Sequence, residues 1–306
     1  MKNTTFYKQA QLLIRILPLI KHKHFALKGG TAINFFVRDM PRISVDIDLI
    51  YTKISDRESA LNNISAFLVT LSDKISKIIP SSRVVYKKMG GSNIVKSLIV
   101  RYMDATVKIE PNFIIRGTVF PVQNIPLCKK AQEFFEIYIE ATILSIPDLY
   151  GGKICAALDR QHPRDLFDIK LLLGNEGITD EIRKAFIVYL ISHNRPIEEL
   201  LDPSPVDLKD LFENAFSGMT DIDISYEEII STRKVLIKII RESLTTREKK
   251  FLLSIQDCNP LWDLLDNKQI STLPAVKWKM LNLNKMDNHK RKSAYQKLLN
   301  LFEIEL

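Results

Sequence analysis

The sequence predicts an α+β protein: an N-terminal domain built on a mixed sheet with flanking helices, followed by an all-helical C-terminal domain. Three observations carry this. Runs rich in Val and Ile recur up to about residue 146 and then stop. From Pro147 onward the apolar spacing is helical, and breakers such as His162-Pro163, Asn175-Glu176-Gly177, Asp202-Pro203-Ser204-Pro205 and Asn259-Pro260 separate several of the runs. Finally, 306 residues with 46% apolar and 26% charged side chains have the length and balance of a two-domain globular chain. The domains fall at 1–146 and 147–306, with no internal repeat.

Each element follows from its own stretch. Residues 5–20 read as an apolar-rich helix. Phe25–Lys28 reads as a short strand that Gly29-Gly30-Thr31 turns into a helix over Ala32–Arg38. Pro41 opens an alternating strand, Ile43–Leu49, and an amphipathic helix over Arg57–Ile79 ends at Pro80. Strand-like runs follow at 83–86, 94–102, 106–115 and 119–122. The second half predicts helices over 148–159, 164–173, 180–192, 208–216, 226–243, 246–256 and 295–305.

Composition excludes several classes. Cys128, Cys155 and Cys258 are odd in number and far apart, which argues against a disulfide scaffold or structural zinc and for a reducing, cytoplasmic setting. No run approaches the ~18 to 20 apolar residues of a membrane helix. The best candidate, 12–20, is broken by Arg15 and Pro18, and Lys21-His22-Lys23-His24 follows it in place of a signal-peptidase site. Net charge is +8, unevenly spread. Lys74–Lys108 carries eight basic residues against Asp104, and Lys277–Lys297 seven against Asp287, whereas Glu198–Glu228 carries ten acids against Lys209. Such segregation suits a polyanionic partner, although solvated helix faces give similar runs.

The chemistry centres on Asp46 and Asp48. In an alternating strand they share one face, about 7 Å apart by Cα, and both can reach a pair of hard cations. Two such metals clamp the attacking and leaving oxygens of a phosphoryl or nucleotidyl transfer. Asp221-Ile222-Asp223 repeats the pattern without a glycine turn nearby. Gly29 and Gly30 let backbone N–H groups approach phosphate oxygens, and Thr31 can cap the helix or bond a phosphate. The same residues also suit a plain tight turn. Thr106–Glu110 alternates too, with Lys108 and Glu110 on one face; Glu110 is the candidate third acid, as shared ligand or general base, or else half of a surface pair with Lys108.

Lys28-Gly29-Gly30-Thr31-Ala32 with Arg42-x-Ser44-x-Asp46-x-Asp48-Leu49 resembles the AbiEii/AbiGii toxin family, nucleotidyltransferase-fold toxins of type IV toxin–antitoxin and abortive infection systems. The family also carries a lysine and then Arg-Asp-x-x-Asp in its helical half, matched here by Lys153 and by Arg164-Asp165-Leu166-Phe167-Asp168. The wider superfamily usually has Gly-Ser at the turn, so here a phosphate-binding hydroxyl would come from Thr31, one position later. The resemblance implies catalysis by Asp46, Asp48, Glu110 and Lys153, with Asp46, Asp48 and Glu110 on Mg²⁺ (Mn²⁺ as the alternative). It implies nucleotide binding by Lys28, Gly29, Gly30, Thr31, Ser44, Asp165 and Asp168. It further implies an NTP donor, an RNA acceptor (a tRNA 3′ end), and a separately encoded antitoxin, with no membrane. For Asp165 and Asp168 an ion pair is the other reading, and for Lys153 a solvated helix lysine. A protein hydroxyl as acceptor, or nucleotide or RNA binding without catalysis, are the rival functions.

Overall fold

The computed structural model describes residues 5–265 and 267–303. The chain forms two compact units, Met1–Leu149 with Phe216–Asp223, and Tyr150–Ala215 with Ile224–Leu306.

In the first unit, helix α1 (Thr5–Ile16) precedes strand β1 (Phe25–Lys28), which passes at Gly29 into the one-turn helix α2 (Gly29–Ala32) and a π-helical turn (Ile33–Val37). Strand β2 (Asp46–Tyr51) starts three residues later than the alternation suggests, because 43–45 are tied elsewhere. The Ile43 N–H donates to Met219 O, and Arg42 bridges to Thr220, whose hydroxyl donates to Pro41 O at 2.7 Å. The segment 216–223, with its Asp221-Ile222-Asp223 repeat, thus returns from the helical half to the N-terminal unit.

Helix α3 (Arg57–Ile78) is capped by Asp56, which accepts from the Ser59 N–H, and it buries Leu61, Ile64, Leu68, Leu71 and Ile75 at helical spacing. Strands β3 (Arg83–Lys88), β4 (Val95–Tyr102) and β5 (Ala105–Asn112) form a meander. The run at 119–122 is not a strand. Instead β6 (Gln123–Pro126), helix α4 (Lys129–Phe135) and β7 (Glu140–Ile143) follow. Asp148 holds the 119–122 stretch, its carboxylate accepting from the N–H groups of Val119 and Phe120. The seven strands order as β3-β4-β5-β2-β1-β7-β6, with β2–β5 and β1–β7 parallel and the other pairs antiparallel. The central strands β1 and β2 bury Phe25, Ala26, Leu27, Ile47, Leu49 and Ile50.

The second unit is helical. Its helices are α5 (Ile146–Arg160, from Tyr150 on), α6 (Pro163–Gly174), α7 (Asp180–Ile191), α8 (Ile197–Leu201), α9 (Lys209–Ala215), α10 (Tyr226–Ser243), α11 (Thr246–Gln256), α12 (Pro274–Asn284) and α13 (Asn288–Leu301). Ser225 and Thr245 open α10 and α11 with reciprocal capping boxes. Helices α8 and α12 have no counterpart in the sequence reading. The last helix begins at Asn288, seven residues before the expected start, because Asp287 caps it, and it closes at Leu301 with Phe302 as its C-cap, four residues short of the expected end at 305. Gly151 lets two backbones meet: a Cβ there would stand 2.8 Å from the Phe186 nitrogen of α7. Among the described residues no helix is long and apolar enough to cross a membrane.

Candidate active site

Strand pairing decides which side chains share a face. Lys28 of β1 lies opposite Asp48, and in the parallel β2–β5 pair Asp48 lies beside Glu110 and Asp46 beside Lys108. Neighbouring strands are about 4.8 Å apart and side chains alternate, so Lys28, Asp46, Asp48, Lys108 and Glu110 project from one face of three adjacent strands. Asp46 and Asp48 are partly exposed. Lys108 Nζ is 2.5 Å from Glu110 Oε2, with both side chains about half exposed at 45%. Glu110 is therefore both in register with Asp48 and engaged by its own strand's lysine.

The glycine turn is pressed against this face. Gly29 sits at φ +68°, a conformation that side chains other than glycine seldom take, and a Cβ there would lie 2.5 Å from Asp48 Oδ2. At Gly30 a Cβ would meet a terminal guanidinium nitrogen of Arg42 at 2.8 Å and Ser44 Oγ at 3.1 Å. The backbone of the turn thus approaches an acid on one side and a buried arginine on the other. Arg42 donates to Ile43 O at 3.0 Å, and Asn34 Nδ2 donates to Gly30 O at 2.9 Å. Arg42 belongs to the sequence motif two residues before Ser44, whereas nothing in the sequence marks Asn34.

Thr31 is buried. Its hydroxyl donates to Asp46 O at 2.5 Å and lies 2.9 Å from Ser44 Oγ. Thr31 and Ser44 therefore tie the turn to the start of β2 and set where the Asp46 main chain stands.

The residue types on this face suit a hard divalent ion, since Asp46 and Asp48 supply oxygen donors of the kind Mg²⁺ and Mn²⁺ take. As the side chains stand, no three His, Cys, Asp or Glu residues among those described are gathered closely enough to ligate one ion. The two-aspartate part of the expected set fits; Glu110 would first have to leave Lys108.

Lys153, Asp165 and Asp168 come together in the second unit. Lys153 of α5 is 5% exposed, with Nζ 2.7 Å from Asp165 Oδ1 and 2.9 Å from Asp168 Oδ2, both on α6. Arg160 adds bonds to Asp165 of 2.6 Å from Nε and 3.1 Å from a terminal nitrogen. Burial by itself pushes the Asp165 carboxyl up, but Lys153 and then Arg160 outweigh it and hold the group well below the usual carboxylate range. Asp165 and Asp168 thus share the one ammonium group of Lys153, from the preceding helix, in a buried ion pair.

The glycine turn, the acids on adjacent strands and the mixed sheet followed by helices define a nucleotidyltransferase architecture. The chain belongs to the nucleotidyltransferase AbiEii toxin family of type IV toxin–antitoxin systems, whose family model matches residues 11–265. It is accordingly a toxin nucleotidyltransferase, an enzyme of a class that takes an NTP, works alongside an antitoxin and typically uses divalent metal ions. Among solved structures it is similar to MenT4, a nucleotidyltransferase toxin from Mycobacterium tuberculosis H37Rv, with a TM-score of 0.60 and 11% identity over 96% of this chain and 93% of that one. It is also similar to JHP933 from Helicobacter pylori, with a TM-score of 0.46 and 19% identity over 78% of this chain and 93% of that one. No curated protein matches it.

Proposed function

We propose that this toxin transfers a nucleotide from an NTP to a hydroxyl of RNA, a tRNA 3′ end, using Mg²⁺ held by Asp46 and Asp48. The observation that carries the reading is the shared face on which Asp46, Asp48 and Glu110 stand in adjacent registered strands, with the Gly29 backbone packed against Asp48. The bound ion would neutralise charge on the reacting phosphates and orient them. In this reading the backbone N–H groups of Gly29 and Gly30 serve the phosphate oxygens, and Thr31 and Ser44 keep that turn in place. Glu110, once released from Lys108, accepts the proton of the attacking hydroxyl. Lys28 and Lys108 add positive charge on the same face. For Lys153 we propose the role that the family resemblance implies, binding the triphosphate, with Asp165 and Asp168 fixing its ammonium group.

An RNA acceptor is supported by charge. Strand β3 is an edge strand with Arg83, Lys87 and Lys88 exposed along it, a surface that suits a phosphate backbone. A toxin with these substrates works in the cytoplasm. The test is incubation with each labelled NTP, Mg²⁺ and total RNA. Label at RNA 3′ ends, lost in Asp46→Asn, is the expected result. Label on protein, or no pyrophosphate release with any NTP, overturns it.

A further inference from the structure

A cavity of about 370 Å³ lies in the first unit, lined in part by the segment that joins α1 to β1. Its lining includes Lys21, His22, His24, Lys53 and Lys74, with Asn63 among its polar groups, and no aspartate or glutamate among the described residues lines it. The imidazoles are held in place. His22 Nδ1 accepts the His24 N–H at 3.2 Å, which leaves Nε2 of the neutral ring to carry the proton and donate. The His22 ring stands edge-on to Phe25 and Phe67 at 5.3 and 5.5 Å, and the His24 ring edge-on to Tyr51 at 6.1 Å.

The cations are crowded together. Burial first, then His24, Lys23 and Lys74, lower the affinity of His22 for its proton; burial first, then Lys23 and Lys53, lower that of His24. An anion entering the cavity relieves this repulsion. We propose that this cavity binds backbone phosphates of the RNA acceptor, away from its reacting end. The inference rests on the transferase reading for the identity of the RNA.

Its position separates it from the NTP site. Tyr51, in the cavity wall, is three residues past Asp48 on β2, about 10 Å along the strand. An odd spacing also places Tyr51 on the opposite face of the pleat from Asp48. A triphosphate whose reacting phosphorus is at Asp46 and Asp48 does not reach around the sheet to this cavity, whereas a folded polynucleotide spans such distances. The three lysines give the charge of three phosphate contacts, and the histidines and Asn63 add directed hydrogen-bond donors.

The experiment uses the full chain with Lys21, Lys53 and Lys74 changed together to Gln, all three being exposed. Binding of fluorescently labelled tRNA is measured by anisotropy from about 50 to 200 mM salt, with ATP binding in parallel. The expected result is a Kd for tRNA raised about tenfold or more at low salt. The slope of log affinity against log salt becomes shallower by about 2 to 3, near 0.7 to 0.9 for each lost contact. ATP affinity and melting temperature stay as in the wild type, and each single Lys→Gln change gives about a third of the slope change. Unchanged tRNA affinity and slope overturn the proposal, as does equal loss of ATP binding or a wild type that binds no RNA. The readout needs no turnover: RNA held at this cavity by a protein that labels no RNA end would defeat the transferase reading and leave the cavity's role standing.

Discussion

Replacing Lys153 by Met keeps most of the side-chain volume and removes the charge that two buried aspartates share. Asp165 and Asp168 are 2% and 1% exposed, so the variant takes the Lys153 ammonium from both while Asp165 keeps its pair with Arg160. Breaking one side of a buried ion pair costs about 3 to 5 kcal/mol. For a unit of this size each kcal/mol shifts the melting temperature by about 2 to 4 °C, so the loss is on the order of 10 °C. The penalty also depends on pH. The Asp165 carboxyl lies well below the usual range, so its contribution to stability is present above its unfolded value near 3.9 and lost as pH falls through the depressed folded value. Lys153→Met removes much of that depression. The gap between wild type and variant is therefore full at pH 7 and narrows as pH drops below about 4. Circular-dichroism melts and urea midpoints across that range give the measurement. Lys153→Met/Asp168→Asn should recover part of the loss, because the second variant also neutralises one of the two acids that lose the Lys153 ammonium. A variant melting within about 2 °C of wild type at pH 7, or a gap that widens on acidification, refutes the reasoning.

Asp46→Asn and Asp48→Asn should abolish transfer with the melting temperature unchanged or slightly raised, since both side chains are partly exposed and clustered negative charge is reduced; turnover at the wild-type rate in the double variant would remove these residues from the metal site. Gly29→Ala should lower kcat at least about tenfold and cost about 1 to 2 kcal/mol, because its backbone is left-handed and its new methyl displaces the Asp48 carboxylate; steady-state kinetics beside a thermal melt decide it. Thr31→Val should destabilise the protein by about 1 to 2 kcal/mol in urea titrations through loss of the bonds to Asp46 O and Ser44, without acting as a direct phosphate contact would on NTP affinity. Lys153→Arg keeps the charge but not the compact ammonium, so kcat should fall more than about tenfold in a labelled-NTP assay, and an unchanged rate would end its assignment to the triphosphate.

What the sequence determined by itself is what short-range chemistry governs. Phe25–Lys28 followed by Gly29-Gly30-Thr31 reads as a strand turning into a helix, and the structure has that turn, with Gly29 at a positive φ that a side chain there would resist. Period-two spacing put Asp46 with Asp48 and Lys108 with Glu110 on common faces before any pairing was known. The long helix α3 and most of the second unit followed from helical spacing and breakers, to within a few residues at each end. Tertiary structure decided the rest. Glu110 stands beside Asp48 because β2 and β5 pair in parallel at one register, a choice made between strands far apart in the chain. The 119–122 run has strand-like residues, yet Asp148 takes two of its N–H groups and the ladder forms at 123–126 instead. Thr31 looked available to a ligand, and only the fold shows its hydroxyl turned to Asp46 O and Ser44. Residues 216–223 read as part of an acidic helical stretch, but their pairing with 41–43 brings them into the N-terminal unit. Local propensity is written in neighbouring residues, whereas registers, long-range pairings and the spending of a buried donor depend on which distant groups the fold brings within reach.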